Sequence, residues 1–236
     1  MQEQQKFSCV VVEWNYAYDL CRDVSKEIKD AGFKPEVVIG IARGGWYLAR
    51  VLCDFFLLKD LFSLKTEHWG VTATITGAAK LKYGIDDAAI KKLRGKEVLI
   101  ADDVTDTGDS IKLVVEYVKS LGAKDVKTAT MHHKTSSSFV PDFYGELVKE
   151  WRWVIYPWSI HEDVMDLVEK AVAKGGKLMS LDEIRTSMKV EFDFYVSYHL
   201  LKEVLENMEF HGKIKREEEG GKEVWMKEEG KSSFII

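Results

Sequence analysis

The sequence is poor in cysteine and proline, and it has no long apolar run. Its 236 residues include three cysteines and three prolines. Cys9, Cys21 and Cys53 form no Cys-x-x-Cys pair and leave one thiol over, which predicts reduced thiols in a cytoplasmic protein. The longest mostly apolar stretch, residues 46–58, is broken by two charged side chains and is shorter than the roughly 18 residues that a membrane span needs. We therefore expect a soluble protein with no membrane partner.

An excess of positive charge is also lacking. The formal net charge is -5, and residues 159–236, with 12 basic and 17 acidic side chains, account for all of it. A surface that binds nucleic acid should be basic, whereas the end of the chain carries the acidic run Glu217 to Glu219. This pattern argues against nucleic acid as a partner. Few prolines and many Lys/Glu pairs are typical of a thermophile protein.

Apolar runs alternate with amphipathic segments through the first 131 residues. Strand and helix patterns in alternation predict an α/β fold, in which a parallel sheet is flanked by helices. We expect strands at 8–14, 37–41, 61–66, 98–101 and 125–131, and helices at 17–28, 46–56, 87–94 and 111–121.

Three later or inserted segments depart from this alternation. Residues 68–84 predict either a mobile flap or a surface hairpin, because they form a long excursion without strong core residues. Residues 132–158 are loop-rich and aromatic. Residues 159–236 predict three helices and a charged hairpin, which is a helical bundle or a winged-helix-like appendage. We therefore expect two domains, 1–158 and 159–236.

The most informative stretch begins with the apolar run Val98 to Ala101. Two carboxylates, Asp102 and Asp103, follow it, and the turn Thr107 to Ser110 then leads into a helix pattern. Ligands of open α/β sheets bind at the carboxyl ends of strands, and a helix N-terminus offers backbone NH groups to a phosphate. The stretch therefore predicts a phosphate site beside a cation site.

A second turn of interest, Arg43-Gly44-Gly45, follows the strand at 37–41. Two glycines let the backbone approach a ligand closely, and an arginine pairs with anionic groups. The alternative is an ordinary tight turn.

Both motifs together resemble the signature of type I phosphoribosyltransferases, in which a hydrophobic strand, two acidic residues and an Asp-Thr-Gly-x-Thr/Ser loop follow one another. The resemblance extends to about Trp158. Lys134 and the run Trp153 to Trp158 look like the base-binding hood of the xanthine-guanine branch. The whole chain, with its helical last third, is similar to the adenine phosphoribosyltransferases of some archaea.

The resemblance implies a fold, a substrate and a set of site residues. The fold is the type I fold with flap and hood, and the substrate is phosphoribosyl pyrophosphate (PRPP). Asp102 and Asp103 would hold the ribose hydroxyls and, directly or through water, a Mg²⁺ cofactor. Asp106 would take or share the proton near purine N7. The implied PRPP-binding residues are Arg43, Gly44, Gly45, Asp102, Asp103, Thr105, Asp106, Thr107, Gly108, Asp109 and Ser110.

Asp109 departs from the family pattern, since glycine is common at this position. A carboxylate here lies beside the expected 5'-phosphate, so its side chain has to point away from the site.

The base that the enzyme would use is left open by the sequence. Lys134, Trp153 and Val154 are the implied base-binding residues, and a lysine ammonium donates to a 6-oxo group but accepts nothing from a 6-amino group. That chemistry points to hypoxanthine, guanine or xanthine. The resemblance over the whole chain slightly favours adenine, with AMP as product, in a homodimeric enzyme of purine salvage. A PRPP-sensing transcription regulator is the alternative of another class, and the last third would act as a cap over the active site.

Overall fold

The computed structural model describes residues 7–68, 79–175 and 178–227. Its chain divides into two compact units. One comprises Glu13–Trp151, and the other combines the residues up to Val12 with those from Arg152 onward. In chain order the elements are β1 (Cys9–Val11), α1 (Trp14–Asp30), β2 (Val37–Ala42), α2 (Gly45–Phe55), β3 (Leu61–His68), β4 (Ala79–Tyr83), α3 (Asp87–Leu93), β5 (Glu97–Thr105), α4 (Asp109–Ser120), β6 (Asp125–Lys134), β7 (Phe143–Val148), β8 (Trp153–Ile155), α5 (Ile160–Gly175), β9 (Met179–Ser180), α6 (Leu181–Phe192), α7 (Tyr198–Phe210), β10 (Ile214–Glu219) and β11 (Lys222–Lys227).

The unit Glu13–Trp151 is built on a six-stranded sheet in the order β4-β3-β2-β5-β6-β7. All neighbouring strands are parallel except β3 and β4, which pair antiparallel. Strand β2 is apolar throughout and β5 is apolar over Val98 to Ala101, as expected for central strands that helices cover on both faces. This arrangement confirms the predicted α/β class.

Strand register brings the two predicted motifs to one edge of the sheet. Gly40 in β2 lies opposite Ala101 in β5, so both strands end close together. Thr105 at the end of β5 lies opposite His133, and Lys134 ends β6. The Arg43-Gly44-Gly45 turn, the loop after β5 and Lys134 therefore meet at the carboxyl edge of the sheet.

The expectation of a loop-rich segment at 132–158 is wrong for two parts of it. Residues 143–148 form β7, the edge strand that pairs in parallel with β6, and residues 153–155 form β8. The strand pattern of β7 is weak because only one face of an edge strand is buried, and its sequence mixes charged and apolar side chains.

The predicted flap at 68–84 falls largely outside the described residues. Residues 69–78 carry no description, and at their borders His68 in β3 lies opposite Ala79 in β4. Residues 79–83, near the end of this predicted flap, form β4. The closing of a flap stays a prediction.

The second unit contains the C-terminal third. Helices α5, α6 and α7 surround a core that includes Val168, Ile184 and Leu201, and an antiparallel sheet in the order β10-β11-β9 adjoins them. The order helix, strand, helix, helix, strand, strand is the topology of a winged helix. The winged-helix-like form that the sequence left open beside a helical bundle is thus the one observed.

The N-terminal strand also belongs to this unit. Strand β1 pairs in parallel with β8, and Val12 N donates to Ile155 O over 2.9 Å. The sequence instead predicted a longer strand at 8–14 within a first domain that ended at 158. In the structure the division falls between Trp151 and Arg152. Among the described residues, no helix combines the length and the apolar character required to cross a bilayer.

Candidate active site

A pocket lies where β5 ends and α4 begins, within the unit Glu13–Trp151. Its walls come from one continuous stretch of chain, because the strand, the loop and the first helical turn fold around it. The lining residues are Asp102, Val104, Thr105, Asp106, Thr107, Gly108, Ser110 and Ile111. Asp109, which the sequence predicted to point away, is not among them.

Gly108 makes the sharp turn between the loop and α4. Its backbone is left-handed, with φ +87°, and a Cβ there would lie 2.5 Å from the Cβ of Phe139. Only glycine fits both conditions. The turn directs the N-terminus of a 12-residue helix at the pocket, where the helix dipole and the first backbone NH groups favour an anion.

Hydroxyl groups line the same turn. The Oγ1 of Thr107 accepts a hydrogen bond from the backbone NH of Asp109 over 3.3 Å, and Ser110 Oγ lies 3.1 Å from Thr66 Oγ1. The carbonyl of Thr107 accepts two hydrogen bonds from Ser138, from its NH over 3.0 Å and from its Oγ over 2.9 Å. The bonds from Ser138 stabilise the loop through its backbone carbonyl and leave the side of the loop that faces the pocket available to a ligand.

The adjacent carboxylates Asp102 and Asp103 stand at the end of β5. Burial raises the pKa of Asp102 well above its ordinary range, and the charge of Asp103 adds to the shift. A cation or a hydrogen-bond donor bound at this position would stabilise the ionised form of Asp102. Gly44 and Gly45 pack directly against this pair: a Cβ on Gly44 would lie 2.0 Å from Asp103 Oδ2, and one on Gly45 would lie 2.3 Å from Ala101 O.

Two carboxylates suit a hard cation such as Mg²⁺, which is usually bound by one or two carboxylates together with substrate phosphates. Within residues 7–68, 79–175 and 178–227, no group of three or more His, Cys, Asp or Glu side chains is arranged to hold a metal ion. The donor set at Asp102 and Asp103 therefore fits a metal that arrives with an anionic substrate better than a resident one.

Asp106 and Lys134 form an ion pair beside the pocket. Lys134 Nζ lies 2.9 Å from Asp106 Oδ2. The other carboxylate oxygen, Oδ1, accepts a hydrogen bond from the indole Nε1 of Trp151 over 3.2 Å. The structure thus brings together the predicted catalytic residue and one predicted base-binding residue, and it adds Trp151, which was not among the predicted base-binding residues.

The other two predicted base-binding residues lie in the second unit, on β8. The indole Nε1 of Trp153 donates to Asp163 Oδ1 over 2.9 Å, and its ring centroid is 6.4 Å from that of Phe7. Val154 is opposite Val10 in the pairing of β1 with β8. Contact of Trp153 and Val154 with a base stays a prediction.

His132 and His133 occupy opposite faces of β6, as adjacent strand residues must, and therefore do not share a ligand. His132 Nε2 lies 3.4 Å from Glu146 Oε2, while His133 Nδ1 is 2.9 Å from the hydroxyl of Thr105. Thr105 lines the pocket, and its hydroxyl lies 2.9 Å from His133 in a contact that fixes the end of β5. Binding of PRPP by Thr105 stays a prediction.

The burial of His133 predicts an acid-sensitive fold. Burial lowers the pKa of His133 below its ordinary value of about 6.5, so the unfolded chain binds more protons as pH falls through that value. We expect the free energy of unfolding to decrease from about pH 7.5 to about pH 5.5 in urea titrations. His133→Gln should reduce this decrease, whereas replacement of the exposed His199 by Gln should leave it unchanged. An equal decrease in all three proteins would contradict the assignment.

A family model described as "Phosphoribosyl transferase domain" matches residues 11–163. The chain is 30% identical over 117 residues to the orotate phosphoribosyltransferase of Caldanaerobacter subterraneus, a match that covers 50% of this chain and 53% of that protein. It is 31% identical over 118 residues to the hypoxanthine-guanine phosphoribosyltransferase of Lactococcus lactis, covering 48% of this chain and 61% of the relative. The matches thus span between half and two thirds of these curated relatives.

Among solved structures, the crystal structure of a purine phosphoribosyltransferase from Pyrococcus horikoshii is similar to this chain. The sequences are 30% identical and the TM-score is 0.55, and the match covers 64% of this chain and 93% of that one. About a third of the present chain lies outside this match, in keeping with its additional C-terminal elements.

Proposed function

Because the chain belongs to the phosphoribosyl transferase domain family and has the type I fold, we propose that it transfers the 5-phosphoribosyl group of PRPP to N9 of a 6-oxopurine. The products are a nucleoside monophosphate and pyrophosphate. One observation carries the proposal: the ion pair of Asp106 and Lys134 stands beside the loop at the N-terminus of α4. The proposed phosphate site is thus adjacent to Asp106 and Lys134, the two side chains that would recognise the base.

The chemistry of Lys134 favours a 6-oxopurine over adenine. Its side chain is buried, and its ammonium group is a donor with no acceptor capacity. A 6-oxo oxygen accepts from it, whereas a 6-amino group would place donor against donor. The name of the Lactococcus relative supports the same choice, and the resemblance that slightly favoured adenine has no counterpart in the geometry.

The residues suggest how the transfer proceeds. The 5'-phosphate of PRPP binds in the turn Thr107 to Ser110, against the start of α4. Arg43, Gly44 and Gly45 hold the pyrophosphate. The N9 lone pair attacks C1', the bond from C1' to the pyrophosphate oxygen breaks with its electron pair leaving on the pyrophosphate, and the N7 proton passes to Asp106.

Asp102 and Asp103 orient the ribose hydroxyls in this proposal. They would also hold Mg²⁺, whose positive charge would offset the negative charge of the leaving pyrophosphate. The raised pKa of Asp102 is consistent with such a role, since a buried carboxylate next to another one is stabilised in its ionised form when a cationic or hydrogen-bonding partner binds.

The test is a panel of bases offered one at a time to the purified protein with PRPP and Mg²⁺. Nucleotide formation is measured for hypoxanthine, guanine, xanthine, adenine and orotate. We expect kcat/KM for at least one 6-oxopurine to exceed that for adenine by about 10²-fold or more, because the 6-amino group of adenine places a donor against the buried ammonium of Lys134 and offers it no acceptor.

Each other outcome rejects part of the proposal. Preference for adenine would overturn the assignment of Lys134 while leaving a purine phosphoribosyltransferase, and preference for orotate would overturn the purine class. If calorimetry shows that PRPP binds but no base is turned over, the enzymatic function is rejected and the PRPP-sensing regulator is favoured.

A further inference from the structure

Trp151 contacts both members of the Asp106–Lys134 pair with two different parts of its indole. The Nε1–H donates to Asp106 Oδ1 over 3.2 Å, and Lys134 Nζ lies 4.6 Å from the ring centroid. With Lys134 Nζ 2.9 Å from Asp106 Oδ2, the three side chains form a closed triangle. All three belong to the unit Glu13–Trp151.

Burial makes these contacts energetically significant. Lys134 is 3% exposed, and a buried ammonium is tolerated only where it is paired and hydrogen-bonded. The carboxylate supplies one partner, and the face of the indole supplies a second through a cation–π contact, which strengthens on desolvation. Trp151 itself is 42% exposed, so burial alone does not fix its position, and its contacts with this pair contribute to it.

Asp106 would rotate more freely without this tryptophan. The carboxylate torsion of aspartate is broad, and an ion pair through Oδ2 alone does not define the plane of the group. A donor on each oxygen does define it. These contacts still allow proton transfer and base binding, since each carboxylate oxygen of Asp106 keeps a lone pair and the ammonium of Lys134 has further protons to donate.

We propose that Trp151 is a positioning residue that fixes the carboxylate plane of Asp106 and the ammonium of Lys134 for a 6-oxopurine. The inference rests on the proposed function. It differs from the base-binding role that the resemblance implies for Trp153, because Trp151 acts through the two side chains that it contacts, Asp106 and Lys134.

The first test replaces Trp151 by Phe, which keeps an aromatic face for Lys134 and removes the indole NH. We expect kcat with the preferred base to fall about 10-fold, the size of one hydrogen bond to a charged group, while KM for PRPP changes by less than about 2-fold. The control is Trp14→Phe, since Trp14 is likewise half-exposed and lies in the same unit. Equal losses in both variants would overturn the proposal.

A double-mutant cycle tests whether Trp151 acts through Asp106. In an Asp106→Asn background, Trp151→Phe should cause no further loss, because there is no carboxylate left to orient. Full additivity of the two losses would overturn the positioning role.

The indole NH resonances give a readout that needs no activity. The resonance that Trp151→Phe removes from the ¹H–¹⁵N spectrum is that of Trp151, and we expect Asp106→Asn to shift it while Trp14→Phe leaves it in place. An unshifted resonance overturns the proposal even in an active enzyme. Absence of turnover with every base rejects the proposed function instead, and the spectrum then decides on the contact by itself.

Discussion

Asp106→Asn is expected to lower kcat by about 10²-fold or more while leaving PRPP affinity within about 3-fold of the wild type. Asparagine preserves the shape of the side chain and one acceptor oxygen, but it takes no proton from N7. The phosphate turn keeps its geometry, because Gly108 and the bonds from Ser138 to Thr107 O define it independently of Asp106. Single-turnover kinetics and calorimetry with PRPP separate the two effects.

Asp87→Asn is the matched control, since it removes an exposed carboxylate from the same unit, on α3. It should alter neither kcat nor PRPP affinity. Unchanged turnover in Asp106→Asn would remove the proton-accepting role of Asp106. A parallel loss of PRPP affinity would mean that Asp106 belongs to the phosphate cradle.

Gly44→Ala is expected to lower kcat/KM for PRPP by about 10²-fold, the cost typical of displacing a site residue by about 1 Å. The backbone at Gly44 has φ -59° and ψ -41°, which alanine adopts readily, so the effect is steric. The added Cβ would lie 2.0 Å from Asp103 Oδ2 and 2.4 Å from its Cγ. The Asp103 carboxylate therefore has to move.

A second substitution identifies the source of the clash. In Gly44→Ala/Asp103→Ala the added methyl group has room, so the free energy of unfolding should recover relative to Gly44→Ala, while activity stays low because Asp103 is lost. Gly45→Ala provides the contrast. Its Cβ would meet the backbone at Ala101 O, 2.3 Å away, and Asp103→Ala should not rescue its stability. Urea denaturation measures the free energy of unfolding of all these variants. If Asp103→Ala restored the stability of both alanine variants, or of neither, the assignment of the Gly44→Ala clash to Asp103 would be contradicted.

Most of the pocket was predictable because its signals are local. The apolar run of β5, the paired carboxylates, the glycine turn and the periodicity of α4 all lie within residues 98–121. A short stretch with one strand and one helix leaves few conformations that bury its apolar side chains, and its resemblance to the family was correspondingly specific. Asp102, Asp106, Thr107 and Ser110 line one pocket, and their binding of PRPP stays a prediction.

Strand pairing across long sequence separations could not be predicted from the sequence. Strand β1 pairs with β8, which follows it by more than 140 residues, and this pairing moves the N-terminal strand out of the sheet that its position in the chain suggested. The edge strand β7 was missed for a related reason, since a strand with one covered face shows no continuous apolar run.

By itself, the sequence determined the fold class, the family and the strand–turn–helix stretch that forms the pocket, because each depends on neighbouring residues. Only the tertiary structure decided which tryptophan meets the pocket loop. Trp151 and Trp153 stand two residues apart in an aromatic run, yet one contacts Asp106, 45 residues earlier, and the other contacts Asp163 in a different unit. That choice depends on where a strand begins and which strand it pairs with, and pairing is a property of the assembled sheet.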